Sequence, residues 1–136
     1  MGYYTAYNVE VCKADPKTHN MIPLPPLMTK NEFIPQEVID FFNQDHIELE
    51  FDDINSFSGY SKWYDWEKEL TELSKKFPDL MFIAEGDGED SDDLWIAWFN
   101  NGTSLYRRKY ITHDDYDPTE MTADPKTYDP NFPANP

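Results

Sequence analysis

The chain has 136 residues, which is enough for one domain with one hydrophobic core. Its 27 acidic and 11 basic residues give a formal net charge of -16, which argues against direct binding to nucleic acid because the phosphates would be repelled. Aromatic residues make up 16% of the chain, which is more than disordered acidic proteins contain and predicts a folded domain.

The first half of the chain predicts a strand, a long loop, a helix and another strand, in that order. Aromatic and β-branched residues alternate with other types over residues 3–12, which is typical of a strand. Residues 13–34 hold four prolines and predict an irregular loop. Proline suits the first turn of a helix, which we expect over residues 35–44. Residues 46–52 alternate between apolar and polar side chains, which predicts a strand.

The second half begins with a helix that is followed by two strands. Apolar residues spaced by three and four over residues 63–77 indicate an amphipathic helix, with Ser61 placed to cap it. Residues 80–85 and 94–99 predict two strands. The acidic loop Asp87–Asp93 joins these strands.

A tight turn, a last strand and an acidic tail complete the chain. Asn100-Asn101-Gly102 is a strong hairpin signal, so we expect residues 103–112 to pair with the preceding strand. Acidic residues and prolines alternate over residues 113–136, which predicts an extended acidic tail. We therefore divide the chain into one α+β domain over residues 1–112, in which the Pro-rich loop 13–34 is inserted, and a tail.

This order of elements predicts the class of fold. Two helices on one face of an antiparallel or mixed sheet would bury the apolar sides of both helices. We expect an α+β, ferredoxin-like sandwich, with two helices packed on one face of a four- to five-stranded, mostly antiparallel sheet.

A series of short motifs runs through the second half of the chain. They are Lys62-Trp63-Tyr64-Asp65, Leu73-Ser74, Phe77-Pro78-Asp79, Gly88-Glu89-Asp90, Asp93, Trp95, Phe99 and Gly102. Together with the start Gly2-Tyr3-Tyr4-Thr5, they resemble a group of small α+β proteins from bacteria and their phages, to which no activity is assigned. The match covers residues 60–112 well and the N-terminal strand loosely. The resemblance implies the α+β fold and a bacterial or phage setting, and it carries over no functional residues.

One stretch concentrates the negative charge. From Phe77 to Tyr106 there is no Lys or Arg, and seven carboxylates are present, five of them within Asp87–Asp93. Clustered carboxylates can supply oxygen ligands for calcium, but this loop lacks the D-x-[DN]-x-[DN]-G spacing and a closing Glu. The loop is therefore either a solvated acidic hairpin loop or part of a surface that binds a positively charged partner.

The sequence shows no recognisable catalytic machinery. His113-Asp114-Asp115 is a lone local cluster, and no pattern places His19 or His46 beside it. Cys12 is the only cysteine, so an intrachain disulfide and a cysteine-based zinc site are excluded, and no base accompanies its thiol. No G-x-S-x-G or P-loop pattern occurs. We therefore expect no enzymatic activity, no cofactor and no metal.

The acidic residues are the leading functional candidates. Glu48, Glu50 and Asp52 alternate along one strand face, so that their carboxylates repeat every ~6.5–7 Å, like successive phosphates of a nucleic acid. We expect a small acidic inhibitor, encoded by a phage or mobile element, that occupies the basic nucleic-acid site of a bacterial defence protein such as a CRISPR effector or a restriction enzyme. The candidate partner-binding residues are Glu48, Glu50, Asp52, Asp53, Asp87, Glu89, Asp90, Asp92, Asp93 and Trp98, with further aromatic contacts from Tyr60, Tyr64 and Tyr106.

Three alternatives stay open at this point. The acids can form a solvated face without a partner, since runs of charge usually do. The chain can be a small-ligand or regulatory module, with a pocket between the Pro-rich loop and the aromatic sheet face. A metal-dependent hydrolase would place His113 beside clustered carboxylates. The first alternative predicts an even scatter of acids, whereas the inhibitor predicts one contiguous patch.

The sequence also indicates a cell compartment. No apolar run approaches the ~20 residues of a membrane helix, and the first residues lack the basic and apolar regions of a signal peptide. We therefore expect a protein of the bacterial host cytoplasm.

Overall fold

The structure is a computed structural model that describes residues 3–90, 93–110, 115–121 and 123. These residues contain seven strands, two α-helices and a short 3-10 helix. In chain order the elements are β1 (Thr5–Ala14), β2 (Met21–Ile22), α1 (Gln36–Phe42), β3 (Glu50–Phe51), β4 (Ser56–Ser61), α2 (Trp66–Lys76), β5 (Leu80–Gly88), β6 (Leu94–Asn100), β7 (Thr103–Arg108) and the 3-10 helix Pro118–Glu120.

All the described strands belong to one sheet. The strand order is β3-β4-β1-β5-β6-β7, β2 pairs with the end of β1, and every described pair is antiparallel. The predicted α+β class is therefore confirmed. The ferredoxin-like sandwich with four or five strands is not confirmed, because β2 and β4 bring the sheet to seven strands.

Both α-helices pack on the same face of this sheet. Val38 and Phe42 of α1 and Leu70 and Leu73 of α2 join one buried cluster with inward-facing strand residues. The strand residues of this cluster are Tyr7, Val9, Val11, Phe57, Leu80, Phe82, Ala84, Trp95, Ala97 and Phe99. Their alternation along each strand follows from the period of two that strands impose on side chains. Among the described residues, no helix has both the length and the apolar character needed to cross a membrane.

The opposite face of the sheet, which we call the open face, packs against neither α-helix. Part of it is covered by the Pro-rich segment, since Leu24 packs on a small cluster of Cys12, Ala14 and Met81. Two other open-face residues, Ile83 and Trp98, are only partly buried. The open face therefore combines a small apolar cluster with a larger area that solvent reaches.

The predicted strand over residues 46–52 is shortened to β3. Glu48 has a φ angle of 56°, a left-handed conformation that interrupts a strand. The predicted alternation is nevertheless visible in the burial of this segment, because Ile47 and Leu49 are buried and Glu48 and Glu50 are exposed.

β4 is the main element that the sequence does not predict. Its composition is poor for a strand, with three serines and a glycine among six residues. It forms because all six residues pair with β1 and because Phe57 is fully buried in the core. Ser61 therefore belongs to a strand, and the prediction that it caps α2 is wrong, since that helix begins at Trp66.

The predicted tight turn between β6 and β7 is confirmed. Asn101 and Gly102 have φ angles of 49° and 78°, the two positive values that a type I′ turn requires. Gly102 N also donates a hydrogen bond to Ser74 Oγ (3.0 Å), which ties the turn to α2. β7 ends at Arg108, and residues 111–114 and most of the predicted tail lie outside the described residues.

Candidate functional site

Three strands bring tyrosines and carboxylates together at one end of the sheet. β1 begins there and β4 and β5 end there, since Thr5 pairs with Ser61 on one side and with Gly88 on the other. The residues around these strand ends therefore meet. We call this region the acidic end, and its residues are Tyr3, Tyr4, Tyr60, Lys62, Tyr64, Asp87, Glu89, Asp90 and Asp93.

The Tyr3 hydroxyl group holds the acidic loop in place. It donates a hydrogen bond to Asp93 Oδ2 (2.6 Å) and accepts one from Asp90 N (3.0 Å). The bond to the Asp93 carboxylate raises the pKa of Tyr3, because it stabilises the protonated phenol. Gly88 lies below this contact, and a β-carbon there would overlap the Tyr3 hydroxyl and the Asp93 carboxylate, so that these two groups would have to shift. Asp90 and Asp93 are thus held against Tyr3.

Two more hydrogen bonds join the same strand ends. Tyr4 N donates to Glu89 Oε2 (2.7 Å), and Tyr3 N donates to the Tyr64 hydroxyl (3.2 Å). Glu89 and Asp93 therefore have structural roles, which accounts for two of the carboxylates in the acidic loop. The network also connects Tyr64, three residues after β4, with the residues before β1.

The other groups of the acidic end are open to solvent. Asp87 and Asp90 are exposed, and their carboxylates form no hydrogen bond or ion pair with another described residue. The exposed fractions of the tyrosines are 75% for Tyr60, 67% for Tyr64 and 45% for Tyr4. Exposed tyrosines next to unpaired charges are typical of surfaces that bind proteins, where tyrosine is enriched among the residues that dominate affinity.

One cation lies within the acidic end. Lys62 Nζ is 4.8 Å from the centre of the Tyr4 ring, a cation–π contact of the kind that contributes about 0.5–1 kcal/mol at exposed sites. Four carboxylates against one lysine leave this region with a formal charge of -3. The acidic end is therefore net negative.

Glu48 and Glu50, predicted to belong to the same surface, lie at the β3 edge of the sheet. Glu50 pairs with Ser58 of β4, and both Ser58 and Glu85 of β5 pair with the same residue of β1, one from each side. Glu50 and Asp87 are therefore three strand spacings apart across the sheet and two residues apart along the strands, which separates their Cα atoms by about 16 Å. That distance exceeds the ~8 Å over which charges interact strongly at physiological salt. The structure does not place the two groups side by side.

Asp52 and Asp53 lie still further from the acidic loop. Asp52 Oδ1 accepts hydrogen bonds from the backbone N–H groups of Ile54 (2.8 Å), Asn55 (2.9 Å) and Ser56 (3.0 Å), so it closes the turn before β4. Partial burial acts to raise the pKa of this carboxyl, but the N–H groups outweigh it and hold the pKa below its usual value. Asp53 has a φ angle of 68° in the same turn. Asp52 therefore has a structural role.

Trp98 belongs to a different part of the molecule from the acidic loop. It lies on the open face, where it lines a cleft together with His19, Met21 and Leu105. The cleft lies between the Pro-rich segment and the aromatic part of the sheet, which is where the small-ligand alternative predicts a pocket. Along β6, Trp98 is four residues from Leu94, the partner of Asp87, a separation of about 13 Å.

Three members of the acidic end, Tyr3, Tyr4 and Lys62, are absent from the predicted site residues, and one predicted residue, Asp92, lies outside the described residues. The alternation over residues 3–12 places Tyr4 on the opposite face of β1 from Tyr3. This alternation is the sequence signal that could have indicated the position of Tyr4. No pattern places Tyr60 beside β1, because the sequence does not predict β4.

The described cysteine and histidines lie outside the acidic end. Among them, no group of three or more His, Cys, Asp and Glu side chains is placed to hold a metal ion. Burial raises the pKa of the Cys12 thiol to about 11, so the thiol is protonated and inert at neutral pH. His46 Nε2 lies 2.7 Å from Glu69 Oε1 in a surface pair. His113 and Asp114 lie outside the described residues.

The basic run Arg107–Lys109 lies at the β7 side of the sheet. Lys109 Nζ is 2.8 Å from Glu85 Oε2, which reaches it across β6. This pair neutralises a carboxylate on the open face two residues from Asp87. The negative surface is therefore bounded on this side by a cation.

Comparisons of the chain with family models, with curated proteins and with solved structures find no match. The resemblance of residues 60–112 to small proteins from bacteria and phages therefore stays a prediction. Five of the residues between positions 60 and 112 that carry this resemblance belong to the acidic end, namely Lys62, Tyr64, Glu89, Asp90 and Asp93, and so do Tyr3 and Tyr4 of the N-terminal motif.

Proposed function

We propose that the chain is a non-enzymatic interaction protein that binds a basic surface of another protein through its acidic end. The observation that carries the proposal is the cluster of Tyr4, Tyr60 and Tyr64, all exposed, around the carboxylates of Asp87 and Asp90, which have no hydrogen bond or ion pair to another described residue. Carboxylates attract the partner and orient it, while tyrosine rings supply contact area with little loss of side-chain entropy.

The hydrogen bonds of the acidic end support this function because they fix its shape before binding. Tyr3 joins the acidic loop to the start of β1, and Glu89 adds a second link to the same strand. A surface that is already ordered loses less conformational freedom when a partner binds. A purely solvated acidic loop would not need hydrogen bonds of this kind.

The partner that we propose is a nucleic-acid-binding protein of bacterial defence, such as a CRISPR effector or a restriction enzyme, whose basic groove the acidic end would occupy. Such a groove is lined by Lys and Arg that normally neutralise phosphates. The net charge of -16 favours encounter with it, and the resemblance to phage proteins favours this setting. The place of action would be the cytoplasm of the bacterial host.

The proposed surface is smaller than the acidic set expected from the sequence. Asp52 is committed to a turn, and Glu48, Glu50 and Asp53 lie at another part of the sheet. We therefore assign partner binding to Asp87 and Asp90 together with the three exposed tyrosines. Glu89 and Asp93 serve as positioning residues through their bonds to the N-terminal segment.

Displacement of labelled DNA tests this proposal. The chain is titrated into a guide-loaded CRISPR effector and into a restriction enzyme, each bound to fluorescent DNA, and anisotropy reports release. The double variant Asp87→Asn/Asp90→Asn should weaken displacement by about 5- to 30-fold, since each exposed charge contributes about 0.5–1 kcal/mol.

The matched control removes two charges from the other side of the molecule. Glu67 and Glu72 are exposed on α2, which packs on the opposite face of the sheet, so Glu67→Gln/Glu72→Gln should displace DNA like the wild type. Equal weakening by both double variants would show that only net charge matters. Failure to displace DNA from any effector of the panel at low salt would contradict the proposed partner class.

A further inference from the structure

The open face contains a cleft that the proposed function does not use. Its volume is about 470 Å³, within the range of pockets that hold small molecules. It lies between β2 and the β6–β7 hairpin, and its lining includes His19, Met21, Met81, Trp98, Asn100 and Leu105. None of these side chains carries a carboxylate, an ammonium or a guanidinium group.

Apolar walls give the cleft a preference for flat rings. Met81 is buried, while Met21 and Leu105 are 52% and 46% exposed at its mouth. The Trp98 indole offers a flat surface for stacking, and methionine sulfur makes favourable contacts with the edges of aromatic rings. An aromatic ligand would therefore gain more here than an aliphatic one of the same size.

A buried amide fixes the polar side of the cleft. Asn100 is 2% exposed, and its Nδ2 donates hydrogen bonds to Pro78 O (3.0 Å) and Leu80 O (2.8 Å). Its Oδ1, which can only accept, therefore faces His19 Nδ1 at 2.6 Å. Nδ1 must carry the hydrogen in this bond, so Nε2 of the neutral imidazole is left as an acceptor.

Charge excludes one class of ligand. The lining holds no permanent cation to bind a phosphate or carboxylate, and the chain has a net charge of -16 that repels anions. The ligand must therefore be neutral or cationic.

We propose that this cleft binds a small planar aromatic molecule that carries an N–H donor and no negative charge. The ring stacks on Trp98 between the two methionines, and the N–H group donates to Nε2 of His19. This site is separate from the acidic end, so variants of Asp87 and Asp90 do not affect it.

Titration with indole tests the proposal, with the methyl resonances of Met21 and Met81 as the readout. A ligand of this size should bind with a Kd of about 1 mM. Two matched probes define the chemistry: 1-methylindole lacks the N–H donor, and indole-3-acetate adds a negative charge. 1-Methylindole should bind at least about fivefold more weakly than indole, the loss expected for one hydrogen bond. Indole-3-acetate should also bind at least about fivefold more weakly, because its carboxylate finds no cation in the lining and is repelled by the net charge of -16.

Variants locate the site. Met21→Ser changes an exposed wall residue and should raise the Kd for indole at least about fivefold, and His19→Phe should abolish the preference for indole over 1-methylindole. Tyr60→Ala, at the acidic end, should leave binding unchanged. The proposal is overturned if indole does not move the two methionine resonances, if indole-3-acetate binds as well as indole, or if Met21→Ser binds like the wild type.

Discussion

Gly86→Ala is the substitution whose effect the structure defines most closely. A β-carbon at position 86 would overlap atoms Cε2 and Cζ2 of the Trp95 indole, which pairs with Gly86 across β5 and β6. Normal contact between carbon atoms is about 3.5–4.0 Å, so the indole would have to move by more than 1 Å, on the order of a bond length. Only glycine allows this close approach.

The indole has little room to move. Trp95 is 4% exposed and stacks on Trp66 with ring centres 4.0 Å apart and planes 11° apart. The edge of Tyr7 lies on another side, with ring centres 6.0 Å apart. Overpacking of a tight core typically costs 1–3 kcal/mol of folding stability. Because the indole has a rigid neighbour on each side, we expect Gly86→Ala to cost about 3 kcal/mol.

Urea unfolding followed by circular dichroism measures this loss. For a chain of this size, about 3 kcal/mol corresponds to a fall in Tm of about 12 °C. The variant Trp95→Phe supplies a matched control, because the smaller ring leaves space for the new methyl group. In that background Gly86→Ala should cost less than about 1 kcal/mol, so the double-mutant cycle should give a coupling of about 2 kcal/mol.

Two results would refute this reasoning. A loss below about 1 kcal/mol for Gly86→Ala alone would mean that the indole does not lie over Gly86. An equal cost in the wild-type and Trp95→Phe backgrounds would place the strain elsewhere. Because Asp87 follows Gly86 directly, either result would also change the assigned position of the acidic loop.

Three further predictions concern stability. Asp52→Ala should lower the free energy of unfolding by about 1–2 kcal/mol because three N–H groups lose their acceptor. Since the native pKa of Asp52 is lowered, urea titrations at several pH values should show this difference at neutral pH and its loss as pH falls below about 4. A difference that does not depend on pH would argue against the carboxylate as its source. Burial raises the pKa of Tyr7 to about 12, so stability should fall as pH rises from about 10 to 12, and Tyr7→Phe should reduce that dependence in alkaline urea melts, while the part that comes from the raised pKa of Tyr3 stays. Trp63 Nε1 is buried without a hydrogen-bond partner among the described residues. In Trp63→Phe, removal of this buried N–H should recover about 1–3 kcal/mol, which offsets the cost of the cavity and keeps the net loss in free energy of unfolding below about 1 kcal/mol. A net loss above about 3 kcal/mol would indicate that Nε1 has an unrecognised acceptor.

Elements with a strong local pattern could be predicted from the sequence. The spacing of apolar residues between Trp66 and Phe77 defines α2, and Asn101-Gly102 defines the hairpin turn, because both signals depend on neighbouring residues. β4 has no such signal. Ser56–Ser61 forms a strand because all six of its residues pair with β1 and because Phe57 is buried in the core. A sheet with two more strands than expected follows from this kind of non-local pairing.

The candidate site illustrates the same limit. The sequence identifies the acidic loop, and the structure confirms that Asp87 and Asp90 are exposed. The sequence does not reveal that the hydroxyl of Tyr3, more than 80 residues away in the chain, forms hydrogen bonds to Asp90 and Asp93 of that loop. The spacing of Glu48, Glu50 and Asp52 suggests one row of charges, but a left-handed residue and a turn break the strand that would have aligned them.

Hydrogen–deuterium exchange on the complex with whichever effector the chain displaces from DNA locates the partner-binding surface. We expect slower exchange at residues 3–6, 58–64 and 86–90, which contain eight of the nine residues of the acidic end, and unchanged exchange at residues 48–53. Protection confined to residues 48–53 or to α2 would contradict the assignment of partner binding to the acidic end.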